Sequence, residues 1–286
     1  MQFADFARAH GVLIDRLQDD SKWHRVPTAT HPRKRNGAYR HCGTYGHIQD
    51  HAAHLEPILW VPDADAKVDH EGIARRAREA SEEIRTGQEA AAKRAGWILH
   101  QCRPELHPYL ESKGFPDEIG NVWIDEKAGD RKLCIPMRAD GKLVGLQTIS
   151  DKDGHEKRFL FGQRTSEAVY VIDNRGRRIL VEGYATALSV RQALQALKCR
   201  YRIIVCFSAS NLLKVARNHG TGIVVADCDH PSPVAPLEGG MGWKVAMGTN
   251  LPFWRATGAG LDFNDHVRAV GLFRASQELK ELMMRS

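Results

Sequence analysis

Between residues 169 and 265 short apolar runs alternate with helix-forming stretches, and no other feature of the chain restricts its fold so strongly. In order they are AVYVID, RRILVEG, ATALSVRQALQAL, YRIIVCFS, NLLKVARNHG and GIVVADCD. The apolar runs are rich in Val and Ile, which fit a pleated, buried surface. The stretches between them carry Ala, Leu, Gln, Lys and Arg, which favour helix. Strands alternating with helices predict βαβ units and a parallel sheet, because a parallel connection has to cross over the sheet. The fold class expected is therefore α/β.

Acids close two of these runs. In RRILVEGYATALS a buried strand leads into Glu182, Gly183 allows the turn, and a helix begins by Thr186. In GIVVADCDHP the strand leads into Asp227 and Asp229. Residues two apart in extended chain point to one side, so both carboxylates share a face. Open α/β sheets bind their ligands beyond the carboxyl ends of the strands. Like charges gathered there raise one another's pKa unless a cation is present. A small set of hard oxygen ligands suits Mg²⁺, which keeps waters and takes phosphates as its other ligands. A third group, Asp262, Asn264 and Asp265 in GAGLDFNDHV, follows a glycine-rich turn. Asp262 and Asp265 are either further oxygen ligands or the cap of the helix that starts at HVRAV. Ser208 and Ser210 in CFSASN have no base nearby in sequence and read as a helix cap.

The rest of the chain is organised differently. Residues 1–20 suggest an amphipathic helix, and 1–62 as a whole a β-rich module with Pro and Gly punctuation. Residues 63–102 read as a connecting helix, mostly polar, with a break possible at Gly87. Residues 103–168 carry strand-like runs, with a hairpin turn at Asp140–Gly141, and predict a small antiparallel sheet. Residues 169–286 hold the βαβ region and a final helix from about Arg274. The stretch between Asp229 and Asp262 is rich in Pro and Gly, so its crossover is expected to be a loop.

Charge and composition exclude some classes. Apolar residues make up 42% of the 286 and charged residues 27%, which is a globular composition. No apolar run approaches the ~18 residues that span a bilayer. The start, MQFADFARAHGVLIDRL, carries Asp5 and Asp15 and lacks the form of a signal peptide, so the cytoplasm is expected and no membrane partner is. The six cysteines include no CxxC pair. Cys134, Cys206 and Cys228 sit in apolar runs and read as buried, reduced thiols. Net charge is +6, which fits a polyanion partner. Arg131, Lys132, Arg138, Lys142, Lys152, Lys157, Arg158 and Arg164 crowd one predicted sheet, and strand alternation will aim only part of them at a cleft.

Taken together, EGYATALS, the DxD after a later strand and the closing DFND resemble the Toprim domain of DNA primases, topoisomerases and some nucleases. HPYLESKGFP at 107–116 and RKLCIPMRADGKLVGLQTIS at 131–150 are similar to the segments that precede that core in primases of phages and conjugative plasmids. DSKWHRVPTATHPRKRNGAYRH resembles their N-terminal zinc ribbon. The resemblance implies a Toprim-type parallel sheet flanked by helices, preceded by a small antiparallel β/α subdomain and a degenerate zinc-ribbon-like module. It implies Glu182, Asp227 and Asp229 as catalytic metal ligands, Glu182 alternatively as general base, with Asp262 and Asp265 as distal metal acids. Lys132, with Arg131, Arg138, Lys142 and Arg158, would bind nucleotide and template. The function implied is Mg²⁺- or Mn²⁺-dependent synthesis of short RNA primers on single-stranded DNA, in a bacterial host's cytoplasm. No P-loop is present, so a replicative helicase would act in trans. The alternatives are a Toprim nuclease and an accessory DNA-binding protein without catalysis.

The N-terminal module departs from the family pattern. Cys42 is its only cysteine, and His31, His41, His47, His51 and His54 lack the paired spacing of a zinc site. His47 and His51 are four apart, which suits a helix face, but zinc is not expected there. Arg33, Lys34 and Arg35 are either a solvated turn or, beside Trp23 and Tyr39, a weaker grip on single-stranded DNA.

Overall fold

The computed structural model describes residues 1–54, 56–62, 70–152, 154–231 and 239–285. Among these residues there are eight helices and three sheets, a mixed α/β fold. They cluster into two compact units, one of residues 1–86 and the other of the described residues from Gly87 onward.

In the first unit α1 (Phe3–Ala9) precedes four short antiparallel strands, β1 (His24–Val26), β2 (Gly37–His41), β3 (Gly46–Asp50) and β4 (Ile58–Trp60), paired in chain order. Phe3, Val12, Tyr39, Ile48 and Trp60 form its core. The helix expected over 1–20 stops at residue 9 because Gly11 takes φ +75° and turns the chain. Leu13 then donates to the Pro27 carbonyl. His47 lies in β3 and His51 in the turn after it, so the helical face expected for that pair does not exist.

Helix α2 (His70–Gln101) runs unbroken through Gly87. One helical glycine costs about 1 kcal/mol relative to alanine, which a helix this long absorbs. Further on, Ala95 and Ile98 are buried against Cys134 and Leu146.

The second unit contains two sheets. The first is antiparallel, with order β5-β6-β7-β8-β9: β5 (Arg103–Glu105), β6 (Gly120–Asp125), β7 (Asp130–Ala139), β8 (Lys142–Ser150) and β9 (Lys157–Phe159). Helix α3 (Pro108–Ser112) lies between β5 and β6, its first turn capped by the His107 ring, which accepts from the Tyr109 N–H at 3.2 Å. The β7–β8 hairpin turns at Asp140 (φ 51°) and Gly141 (φ 75°), the paired positive φ values that match the twist of tight hairpins.

The second sheet has the order β10-β12-β11-β13-β14. Its strands are β10 (Tyr170–Asp173), β11 (Arg177–Val181), β12 (Tyr201–Val205), β13 (Ile223–Ala226) and β14 (Phe253–Arg255). The last four are mutually parallel, while β10 pairs antiparallel with β12, so AVYVID is an edge strand rather than part of a βαβ unit. Helices α4 (Tyr184–Ala196), α5 (Ala209–His219) and α6 (Gly240–Gly248) follow β11, β12 and β13, and α7 (Phe263–Val270) and α8 (Leu272–Arg285) end the described chain. The chain passes from β11 outward to β12, then back across to β13 on the other side of β11. The strand order therefore reverses at β11, and a ligand crevice is expected at its carboxyl end.

Helix α6 and strand β14 correct the loop expected between Asp229 and Asp262. The glycines that make this stretch a poor helix also let it dock. A Cβ on Gly242 would stand 2.2 Å from the Asp227 carbonyl oxygen. Ser208 caps α5 as expected, accepting from the Asn211 N–H. Cys134, Cys206 and Cys228 are buried free thiols.

The two sheets share one core. Leu133, Ile135 and Ile149 pack with Ile179, Val181, Ile203, Val205, Ile223 and Val225. The alternate residues Cys134 and Leu146 face α2 instead, as the two-residue period of strands requires. Among the described residues, no helix is long and apolar enough to cross a membrane.

Candidate functional site

Glu182 follows the last residue of β11, and Asp227 the last residue of β13. Both strands are buried through their ends, so the two acids emerge side by side at the strand-order reversal. The Phe207 N–H holds the Glu182 carbonyl at 2.9 Å. Asp229 Oδ2 accepts the Gly242 N–H at 2.7 Å and so caps α6 from outside that helix. Asp262 caps α7: its Oδ1 accepts the Asp265 N–H at 2.9 Å, and its Oδ2 accepts the Thr186 hydroxyl at 3.4 Å. Asp265 returns the capping box by accepting the Asp262 N–H.

The carboxyls perturb one another. Burial, and then the charge of Asp229, push the Glu182 carboxyl up to about 7. Lys157 and the Ala209 N–H oppose that rise. Asp227 is raised well above the usual carboxylate range by burial and then by Glu182, Asp262 and Asp229. Its Oδ1 is buried without a hydrogen-bond partner. An unmatched buried acceptor costs about 1–3 kcal/mol, more when it carries charge.

Cations and aromatic rings border the acids. Lys157 pairs in register with Ile149, a residue of the shared core, so its side chain leaves β9 on the acid side. The residue is exposed by area, yet its surroundings press its ammonium below the ordinary lysine range, through burial and then Lys113, against the pull of Asp262, Asp227 and Glu182. Its Nζ stands 5.4 Å over the Tyr109 ring. The Tyr109 hydroxyl is raised by burial and by Asp262, and it too is buried without a partner. Asn264 donates to the Lys113 carbonyl at 2.8 Å and to Ser189 at 2.9 Å, tying α7 to α3 and α4. Phe207, just past β12, holds φ +66°, a genuine outlier for a bulky residue. Its ring meets the edge of Phe159, on β9, at 6.3 Å. Such strain persists only where the surroundings fix it, and it gathers at functional sites.

The donor set suits a hard cation. Glu182, Asp227 and Asp229 offer oxygens only, one of them orphaned, and a divalent ion would offset the repulsion that raises the Glu182 and Asp227 carboxyls. With the side chains as placed, no three His, Cys, Asp or Glu residues among those described stand close enough to share one ion. Binding would thus require the carboxylates to turn inward, which Asp227 can do without losing a hydrogen bond at Oδ1. Asp265 is engaged in the α7 cap, where it accepts the Asp262 N–H at 3.2 Å.

The basic residues singled out in the sequence do not gather here. Lys132 sits on the α2 side of β7, opposite to Leu133 and Ile135, and pairs with Asp125 at 2.6 Å beneath Trp123. Arg131 pairs with Glu105 at 2.8 Å. Arg138 folds back on the Gly141 carbonyl, and Arg158 pairs with Glu156. Lys142 is exposed in the hairpin. Of the bases on that sheet, Lys157 is the one aimed at the acids; its place on a short edge strand was visible only once the register was known. Phe159, Phe207 and Lys113 carried no signal in the sequence.

In the first unit Tyr39 is 1% exposed, its hydroxyl donating to the Arg16 carbonyl, so it is a core residue and no stacking platform. Trp23 is exposed, and Arg33, Lys34 and Arg35 lie in an exposed turn. Cys42 is buried, and His41 pairs with Asp19 at 2.9 Å.

No protein-family model matches the chain, and no curated protein matches it in sequence.

Proposed function

We propose that the chain is a Mg²⁺-dependent nucleotidyltransferase of the Toprim type, a primase that joins ribonucleotides on single-stranded DNA. The observation that carries this reading is the orphaned, buried Asp227 Oδ1 beside Glu182 at the strand-order reversal, in a setting that raises both carboxyls. Glu182, Asp227 and Asp229 would hold the ion, with Asp262 next to them. When bound, the ion supplies charge neutralisation for a triphosphate and acidifies an attacking hydroxyl.

The chain's own groups account for the rest. The attacking 3′-hydroxyl oxygen forms a bond to the α-phosphorus, and pyrophosphate leaves with the electron pair of the broken bond. In this reading the Glu182 carboxylate accepts the hydroxyl proton. Lys157 and Lys113 offer positive charge to the phosphates, and Phe159 and Phe207 offer ring edges to a base. In this reading a helicase acts in trans, in the cytoplasm of a phage- or plasmid-bearing bacterium.

Incubation with single-stranded DNA, labelled ribonucleoside triphosphates and Mg²⁺ tests it. Oligoribonucleotides that disappear in Asp227→Asn support the proposal. Shortened DNA and no RNA would move it to a nuclease on the same acids. Products equal in wild type and Asp227→Asn would refute the role of these acids.

A further inference from the structure

A second cluster lies on the other side of the antiparallel sheet. Leu133 and Ile135 of β7 face the acid-bearing sheet, whereas Lys132 and Cys134 face α2. On that α2 side an open groove of about 690 Å³ runs between α2 and β6. Trp97 of α2 and Trp123 of β6 meet edge to face in its wall, with centroids 6.3 Å apart at 77°. Trp97 is 58% exposed, an unusual position for the largest apolar side chain on a mostly polar helix.

The charges around these rings are unevenly satisfied. Lys132 stands 5.4 Å over Trp123, and its charge is met by Asp125 at 2.6 Å. One face of Trp123 is thus occupied and one acid of the groove neutralised. Arg94, Arg103 and Lys127 also line the groove, all exposed. Among the described residues their side chains have no hydrogen-bond or ion-pair partner. Glu126 is the one acid of the lining left to oppose them.

We infer that this groove binds single-stranded nucleic acid, one base stacking on Trp97 and the flanking phosphates meeting Arg94, Arg103 and Lys127. An exposed indole bracketed by unpaired cations offers what an unstacked strand presents, a π-face alternating with negative charge. A duplex keeps its base faces covered, and an apolar peptide would leave the three cations unanswered. The groove shares no residue with the acidic site, so this inference stands independently of the metal chemistry proposed there.

Fluorescence anisotropy with labelled oligo(dT), oligo(rU) and a DNA duplex tests it. Trp97→Ala should weaken single-strand binding roughly 5- to 100-fold. Trp97→Phe should restore most of that loss, because a ring remains. Arg94→Ala/Arg103→Ala should lower the slope of log K against log salt by about 1.4, at ~0.7 per lost phosphate contact. Asp227→Asn should bind like wild type, which separates failure of this site from failure of the acidic one. The DNA and RNA arms show which strand the groove takes. Wild-type affinity and salt slope in both groove variants would overturn the inference, and so would a preference for duplex. All four variants are melted in parallel. If Trp97→Ala is destabilised, Trp97→Phe and the double arginine variant decide.

Discussion

Replacing Glu182 by Gln removes a charge from the acidic site while keeping its shape. The ordinary carboxyl value is 4.5, and in the folded chain burial and Asp229 push it up to about 7. Between those two values the folded state binds the proton more tightly than the unfolded state does. Stability from this group is therefore fully present below pH 4.5, falls as pH rises, and is lost once pH passes about 7. Each pKa unit corresponds to about 1.4 kcal/mol, so the wild type should lose about 3 kcal/mol across that window. That figure is a ceiling, because Glu182 as a residue is only half-buried.

Gln cannot ionise and escapes this loss. At pH 5 the two proteins should be nearly equal, and by pH 8 the variant should be more stable by about 1–3 kcal/mol. The difference should grow with a slope of one proton through the middle of the range. Asp227 shifts in the same direction, partly because of Glu182, so the substitution relieves it too. Urea denaturation at pH 5, 6, 7 and 8, with a chelator present, measures this. Repeating it with Mg²⁺ should raise the wild type toward or past the variant at pH 8, since an ion bound to the folded state stabilises it by mass action. Stability curves for the two proteins that stay parallel from pH 5 to 8 would refute the reasoning. They would mean that the carboxylate is solvated as in the unfolded chain and that the acids are not an enclosed cluster.

Other substitutions probe the groups around the acids. Gly242→Ala places a methyl 2.2 Å from the Asp227 carbonyl, so the melt should show a loss of about 1–3 kcal/mol and a weakened Mg²⁺-induced rise in Tm. Asn211→Ala frees the Ala168 and Cys206 carbonyls and the Glu167 N–H, all now bonded at 2.7–2.8 Å; denaturation should report a loss of about 2–4 kcal/mol. Lys157→Met removes the cation that holds Glu182 and Asp227 down. The midpoint of the metal-free stability loss should then move above pH 7, and affinity for a nucleoside triphosphate should fall while oligo(dT) binding at the tryptophan groove stays unchanged.

The parts of this fold that were legible in the sequence are those fixed by local pattern. The strands around Ile179, Ile203 and Ile223 could be read because Val and Ile cluster there, and Ser208 could be read as a cap because its neighbours left it no other role. Helix α6 was not legible. Its glycines argue for a loop by propensity, and only the packing of Gly242 against Asp227 explains why they form a helix. The antiparallel partnership of β10 is likewise a tertiary choice, since AVYVID has the same local pattern as the parallel strands. Site residues divide the same way. Glu182, Asp227 and Asp229 stand out in the sequence because they lie at or just past the ends of buried strands. The face that Lys132 takes was not legible, because a basic residue in a predicted strand can point to either side. One step in register separates it from Leu133, and that step carries it to the far side of the sheet.

The enclosure of the acids comes from outside the sheet that bears them. Acids at the carboxyl ends of parallel strands ordinarily face water and titrate normally. Here Lys157 from edge strand β9, Tyr109 from α3 and Lys113 just past it border them, all contributed by the antiparallel layer that precedes β10. Packing of Leu133, Ile135 and Ile149 into the common core holds that layer in place. Its opposite face is thereby turned toward α2, where Trp97 and Trp123 stand among unpaired cations. One five-stranded sheet thus supplies a lid for the acids from the face that carries Leu133 and Ile149 and a wall for the tryptophan groove from the face that carries Lys132 and Trp123. A substitution that tilts it, such as truncating Ile149, should therefore disturb both the raised Glu182 titration and single-strand binding, although the two sites share no residue.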